Sequence, residues 1–263
     1  MTHEARVVVS IEQSTATVLL DNPGQYNALT KDMCLQLLGA FASLAADPTV
    51  ATIVVRGANS SFCSGIAIDQ MDRVLFDRDD RGELINHFDL VDRSIQNCGK
   101  TTIAVVEGNC FGGGWQLAAA CEMQLASDQV RLAITPAKIG LVFPRPGIER
   151  LVRTVGEDRA KYLLYSGARL SAEDIKNWGL FTLVVPQTEL ESRLAGLLSQ
   201  LQVNSAYSID RTREAIALAV NAEPSDDWWA SAWEENAQNE DLAEGRAAFV
   251  QHRAPDFPSW PAT

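Results

Sequence analysis

The stretch "GNCFGGGWQLAAAC", residues 108–121, follows the β-branched apolar run "TTIAVVEG" (101–108) and leads into an alanine-rich segment. Three consecutive glycines between a buried-strand pattern and a helix pattern let the backbone come close to a bound group, because no Cβ stands in the way. A helix that opens there directs its first N–H groups, which lack intrahelical acceptors, at whatever fills that space. The spacing is not GxGxxG and no GK[ST] follows, so neither a dinucleotide fingerprint nor a P-loop accounts for the glycines. Gln116 falls in the first turn of the expected helix, beside Trp115.

A second loop has the same logic. "SFCSGIAIDQM" (61–71) follows another β-branched strand pattern, "VATIVVRG" (50–57), and places Gly65 just before Ile66. Upstream, Val7–Ile11 and Ala16–Leu20 alternate as a hairpin around Gln13–Ser14. "DNPGQYNAL" (21–29) is rich in turn residues, and Thr30 is placed to N-cap a helix running to about Ala46. Residues 71–97 are charged and loosely helical, with "FDRDDRGE" (76–83) expected as a mobile segment. "MQLAS" (123–127) and "VRLAIT" (130–135) are short strands; from 145 onward the pattern is helical, with one late strand, "FTLVVP" (181–186). Strands alternating with helices predict an α/β core over 1–190 and amphipathic helices over 191–263. Those helices cannot bury their faces alone and are expected to pack on the core and on a neighbouring subunit, Trp228, Trp229 and Trp233 among them.

Composition narrows the functions. The 263 residues are 46% hydrophobic and 21% charged, as in a soluble globular protein. A net charge of −12 argues against nucleic-acid binding, which needs a Lys/Arg surface. No apolar run reaches the roughly 20 residues that span a bilayer. Five cysteines without a CxxC fit reduced thiols and a cytoplasmic setting, and no metal site is expected. Cys34, Cys98 and Cys121 read as small core residues, whereas Cys63 and Cys110 flank the glycine loops.

"NPGQYNALT" (22–30), "SFCSGIAIDQM" (61–71), "IAVVEGNCFGGGWQLAAACEMQLAS" (103–127), "AKIGLVFPRPGIERLVRTVG" (137–156), "AKYLLYSGARLSAEDIKNWGLFTLVV" (160–185) and "EGRAAFVQHRAPDF" (244–257) together closely resemble the crotonase (enoyl-CoA hydratase/isomerase) superfamily. The resemblance implies an α/β fold, the crotonase-like spiral of ββα units with a helical C-terminal trimerisation region, assembled as a homotrimer or dimer of trimers. It implies an oxyanion hole for a thioester enolate, made by the backbone N–H groups of Ile66 and Gly113. It places Ser64, Gly65, Gly112 and Phe143 at the substrate site, and Tyr26 in the loop over the thioester end, with plain packing as its alternative; Trp115 either shapes the pocket or fills the core behind it. No cofactor is implied beyond the CoA of the substrate.

The chain departs from the resemblance where protons are transferred. The hydratases carry one glutamate three residues after the middle glycine, here Gln116, and a second before a KxG motif, here Pro136. An amide accepts and donates hydrogen bonds but does not exchange a proton near neutral pH. Losing one positioned acid or base costs about 10²–10⁴ in rate, so ordinary hydration is expected to be crippled. Glu122, six residues along the helix, falls on the opposite side. "TPAKIGLVFPRPG" (135–147) resembles the thioester decarboxylases of the superfamily more than the hydratases. Those place a tyrosine at Phe143 and keep the first glutamate. His87 and Arg145 are weaker candidates for acid/base or acid-binding groups; a solvated helix face and pairing with Glu149 are their structural alternatives.

Carrier recognition is altered as well. Ser60 and Asp69 stand where relatives place lysines near the CoA phosphates, and Phe249 and His252 where an aromatic and a lysine meet the nucleotide. A phosphopantetheinyl carrier therefore stands beside CoA as the expected handle. The sequence predicts an acyl-thioester lyase or isomerase without the hydratase glutamate pair. A catalytically quiet acyl-binding or partner protein is the second reading, and a Glu→Gln replacement in an active hydratase is the third.

Overall fold

The computed structural model describes residues 4–221 and 225–257. Ten strands and eleven α-helices occur among them. The strands are β1 (Arg6–Glu12), β2 (Thr15–Asp21), β3 (Thr52–Gly57), β4 (Asp77–Arg78), β5 (Leu84–Ile85), β6 (Thr101–Val106), β7 (Asn109–Phe111), β8 (Met123–Ser127), β9 (Arg131–Ala133) and β10 (Leu183–Val185). The helices are α1 (Lys31–Ala46), α2 (Met71–Leu75), α3 (His87–Gln96), α4 (Gly113–Ala120), α5 (Arg145–Val155), α6 (Glu157–Ser166), α7 (Ala172–Asn177), α8 (Leu190–Val203), α9 (Ala206–Asn221), α10 (Asp226–Gln238) and α11 (Glu240–Val250). They form two compact units, Met1–Leu194 and Ala195–Thr263.

In the first unit a six-stranded sheet runs in the order β1-β2-β3-β6-β8-β10. The β1–β2 hairpin is antiparallel, and every later neighbour is parallel. The sequence explains the difference. β6 is buried along its whole length, Thr101 and Thr102 included, and apolar from Ile103 to Val106, as suits a strand covered on both faces. β2 instead alternates, burying Ala16, Val18 and Leu20. α1 buries Met33, Leu37, Phe41 and Leu44, a stripe at helical spacing, and Thr30 caps it by accepting from the Met33 N–H at 3.2 Å. A second sheet pairs β7 with β9 in parallel, and isolated bridges join Cys63 to Cys110 and Leu29 to Ile66. Both glycine loops therefore sit at the ends of parallel strands, where this architecture places ligands.

Within the segment expected to be mobile, β4 pairs with β5 just beyond it as a short antiparallel hairpin, with the Asp79 carboxylate accepting from the Arg81 and Glu83 N–H groups. Asp77 anchors it, accepting from Lys31 Nζ at 2.6 Å and lying 2.7 Å from His87 Nε2. Those hydrogen bonds, from Lys31 first and then His87, hold the Asp77 carboxyl well below the usual carboxylate range.

All five cysteines are buried. Burial pushes the Cys34 and Cys63 thiols up to about 12, and raises Cys110 and Cys121 as well, so these are inert core side chains near neutral pH. Among the described residues no helix is long and apolar enough to cross a membrane, and no group of three His, Cys, Asp or Glu residues is placed to hold a metal.

Candidate active site

The two glycine loops meet across a cleft. In the first, the Leu29 N–H donates to the Gly65 carbonyl at 2.8 Å, and the Ala67 N–H donates to the Leu29 carbonyl at 2.9 Å. A parallel pairing of that kind uses the groups on either side of Ile66 and turns the Ile66 N–H away from Leu29. In the second, the Gly112 N–H is taken by the Ala133 carbonyl at 2.9 Å, and α4 begins at Gly113. The Gly113 N–H is thus among the four at a helix start that the helix itself leaves unpaired. Gly65, at φ +102°, brings the loops together: a Cβ there would stand 3.0 Å from the Phe111 carbonyl oxygen and 3.4 Å from the Gly113 nitrogen. Cys63 Sγ supports this turn, within 3.4 Å of the Gly65 nitrogen.

Ile66 and Gly113 border a cavity of about 90 Å³. Its wall also includes Ser64, Gly65 and Gly112 from the loops, Phe88 and Met71 from α3 and α2, and Pro136, Leu141 and Phe143 from the segment before α5. None of the described wall residues carries an ionisable side chain. A neighbouring groove shares Ser64, Ile66 and Ile68 with it and continues to Gln25 and Asp69. Chemically the cavity offers an apolar seat between the two glycine loops, with no ionisable group in the wall itself.

The sequence profile of the enoyl-CoA hydratase/isomerase family matches residues 10–259. The chain belongs to that family. A solved structure of an enoyl-CoA hydratase/isomerase family member is 38% identical, covers all of both chains and superposes with a TM-score of 0.95. A Thermus thermophilus protein provisionally named an enoyl-CoA hydratase is 32% identical, with 95% of this chain and all of the relative covered. The peroxisomal Delta(3,5)-Delta(2,4)-dienoyl-CoA isomerase of Arabidopsis thaliana is 26% identical, with 94% of this chain and 93% of the relative covered. The architecture is the crotonase fold, a mixed sheet with its parallel strands central.

Within this family member, Ser64, Gly65, Ile66, Gly112, Gly113, Pro136 and Phe143 come together at the cavity. Gln116 does not stand on its wall. Its side chain is fully buried, and the amide nitrogen donates to Asp92 Oδ2 at 3.1 Å. Trp115 is fully buried in the core rather than at the cavity. His87 is neither a solvated helix residue nor in the wall: it is buried and paired with Asp77. Arg145 points to solvent with its side chain 87% exposed, and donates to Glu149 at 2.7 Å, one turn on. Tyr26 is 62% exposed with a left-handed backbone (φ 49°) and is absent from the wall; its carbonyl accepts from the Ser64 N–H. Glu122 is tied to Thr102, its N–H donating to Thr102 Oγ1 at 2.9 Å. Phe249 and His252 lie in the C-terminal unit, where Phe249 borders a groove of about 560 Å³.

The sequence reading missed Asp92 and Arg150. Asp92 is fully buried and Arg150 reaches both its oxygens, at 3.0 and 2.9 Å. The signal was present: Asp92 interrupts the stripe Phe88, Val91, Ile95 on the face that α3 buries, and a charge in such a stripe requires a partner.

Proposed function

We propose that the cavity receives the acyl end of an acyl thioester, an acyl-CoA in the first instance, and that the Ile66 and Gly113 N–H groups hold its carbonyl oxygen as negative charge develops there. The supporting observation is that Ile66 and Gly113, from two loops that Gly65 brings close together, line one apolar cavity whose described wall has no ionisable side chain. Preorganised donors of this kind lower a barrier by about 2.7–4 kcal/mol each. The reactions that fit need no carboxylate pair. When an acyl thioester bearing a β-carboxylate loses CO₂, the C–C bonding electrons pass to the α-carbon and are delocalised onto the held oxygen. Water then returns a proton to carbon. Isomerisation and C–C cleavage lead to the same enolate, with the proton that they release taken by a base outside this wall. An assembly of three or six copies and a phosphopantetheine handle belong to this reading; Asp69 in the adjoining groove disfavours a phosphate there.

A panel of crotonyl-, acetoacetyl- and malonyl-CoA, assayed for turnover and by calorimetry for binding, tests it. Turnover of a substrate other than crotonyl-CoA is expected. Crotonyl-CoA hydration at rates usual for hydratases contradicts the absence of a proton-transfer pair. The absence of any ionisable wall residue also favours a second reading, an acyl-binding protein without catalysis, for which all turnover is absent and binding persists. Gly65→Ala tests the donor geometry under both. Its positive φ strains an alanine by about 1–3 kcal/mol, and the added methyl presses on Phe111 and Gly113. The expected result is a lower urea midpoint together with lost thioester binding. A stable variant with normal affinity removes the Ile66/Gly113 assignment.

A further inference from the structure

Cys63 is the residue at which the two glycine loops are joined. Its N–H donates to the Asn109 carbonyl at 2.9 Å, and its carbonyl accepts from the Phe111 N–H at 3.0 Å, so it is laced to β7 just ahead of Gly112 and Gly113. The start of α4 is packed hard against it. A Cβ on Gly114 would stand 2.1 Å from the Cys63 carbonyl oxygen and 3.2 Å from Cys63 Cβ, so only a residue without a side chain fits there. The Cys63 side chain is fully buried and turns back on its own loop. The Gly65 N–H donates to Sγ at 3.4 Å, and Sγ stands 3.5 Å from the Gly65 carbonyl oxygen, within reach of its S–H. Burial pushes the thiol up to about 12, so that S–H is in place near neutral pH. The same carbonyl accepts from the Leu29 N–H at 2.8 Å. In a trans peptide the C=O and the following N–H point in opposite directions. Whatever fixes the Gly65 carbonyl therefore fixes the direction of the Ile66 N–H, and Gly65, without a side chain, offers little resistance of its own to turning.

We propose that Cys63 is a positioning residue for the Ile66 donor: its thiol grips the N–H and the C=O of Gly65 together and so sets the plane of the peptide whose N–H meets the thioester oxygen. A single bond from Leu29 leaves that peptide a hinge. The sulfur, bonded to the two polar groups that lie on either side of the Gly65 Cα, closes it. Sulfur is a weak donor and a weak acceptor, so the contribution is to direction rather than to binding energy. Direction matters most where charge develops: a donor aimed at an oxyanion is worth about 10²–10³ in rate, and one that binds ground and transition states alike is worth nothing to the chemical step. The thiol touches no substrate and transfers no proton. This role rests on the thioester reading above and names the residue that aims one of its two donors.

Cys63→Val fills the same space without polar atoms, and Cys63→Ser restores a donor and an acceptor. The probe is butyryl-CoA carrying a heavy carbon isotope at the thioester carbonyl, whose infrared stretching frequency drops with the hydrogen bonds it accepts. In the parent the bound carbonyl is expected to lie well below its position in free butyryl-CoA. Cys63→Val is expected to lose about half of that displacement, one of two donors being misdirected, and Cys63→Ser to recover most of it. Affinity for butyryl-CoA changes by about threefold or less. For whichever of crotonyl-, acetoacetyl- and malonyl-CoA the parent turns over, kcat falls about tenfold in Cys63→Val with KM nearly unchanged. A merely structural role lowers the urea midpoint and leaves the carbonyl frequency where it was. Should Cys63→Val fail to fold or to bind, Cys63→Ala removes the same contacts and is read in the same way. A displacement that survives loss of the thiol, or that serine does not restore, overturns the role of Cys63 and leaves the thioester reading standing. A parent protein that binds no butyryl-CoA, or binds it with the carbonyl unshifted, overturns the thioester reading and this role with it.

Discussion

Replacing Gln116 by glutamate is expected to destabilise the folded chain by about 3 kcal/mol at neutral pH, and by much less near pH 4. The amide nitrogen now lies 3.1 Å from Asp92 Oδ2. Glutamate is nearly isosteric, so the introduced carboxyl takes the same place, fully buried and against another carboxylate. Burial and the like charge both raise its pKa in the folded state; Arg150, 3.4 Å from the Gln116 carbonyl and already committed to Asp92, offsets part of that rise. A carboxyl whose folded pKa lies above its unfolded value binds more protons when folded. Stability relative to the parent is therefore preserved below the unfolded value, where the protonated carboxyl can donate to Asp92 as the amide does. It is lost as pH climbs from there through the raised value, at about 1.4 kcal/mol for each pH unit climbed. Urea midpoints of both proteins at pH 4.5 and pH 8 decide the matter. The gap has to widen toward pH 8; a constant gap, or a variant more stable at pH 8, contradicts the placement of the Gln116 amide against Asp92.

This result bears on what the sequence could disclose. The glycine loops were legible because backbone approach has a direct sequence mark: Gly65, Gly112 and Gly113 have no side chain, and each follows an unmistakable apolar strand. The buried strands β3 and β6 were legible too, from the apolar runs Ile53–Val55 and Ile103–Val106, whereas their order in the sheet left no mark in the sequence. Side-chain direction was not legible either. The position of Gln116 in the chain suggested a wall residue, and its orientation is set by Asp92 and Arg150, 24 and 34 residues away. Two charges that neutralise each other in the interior leave separate and unremarkable traces in sequence, one on α3 and one on α5. His87 was misjudged likewise, because its partner Asp77 belongs to a hairpin whose charged sequence reads as irregular.

The Asp92–Arg150 pair should give the other large effect, and the two single replacements should differ in their pH dependence. Asp92 is fully buried and accepts from Arg150, Gln116 and Gln96, whereas the Arg150 side chain retains 14% exposure. Breaking a buried ion pair from one side costs about 3–5 kcal/mol, because the remaining charge is stranded away from water. Arg150→Met strands a carboxylate. That group can neutralise itself by taking a proton, so the loss is expected to shrink steadily as pH falls. Asp92→Leu strands a guanidinium, which does not deprotonate at any pH the fold survives, so its cost is flat with pH. It is also expected to be the smaller of the two at pH 8, since Arg150 can extend its head group toward solvent along its aliphatic stem. Apolar replacement of both partners at once removes the stranded charge altogether and is expected to recover most of the loss, as a well-packed apolar pair often equals a buried ion pair. Urea denaturation of the two single variants and the double variant at pH 5 and pH 8 provides the full cycle. If Arg150→Met costs the same at both pH values, or the double variant is as unstable as the sum of the singles, the two residues are not acting as a coupled pair and the amide of Gln116 lacks the fixed acceptor that defines its orientation.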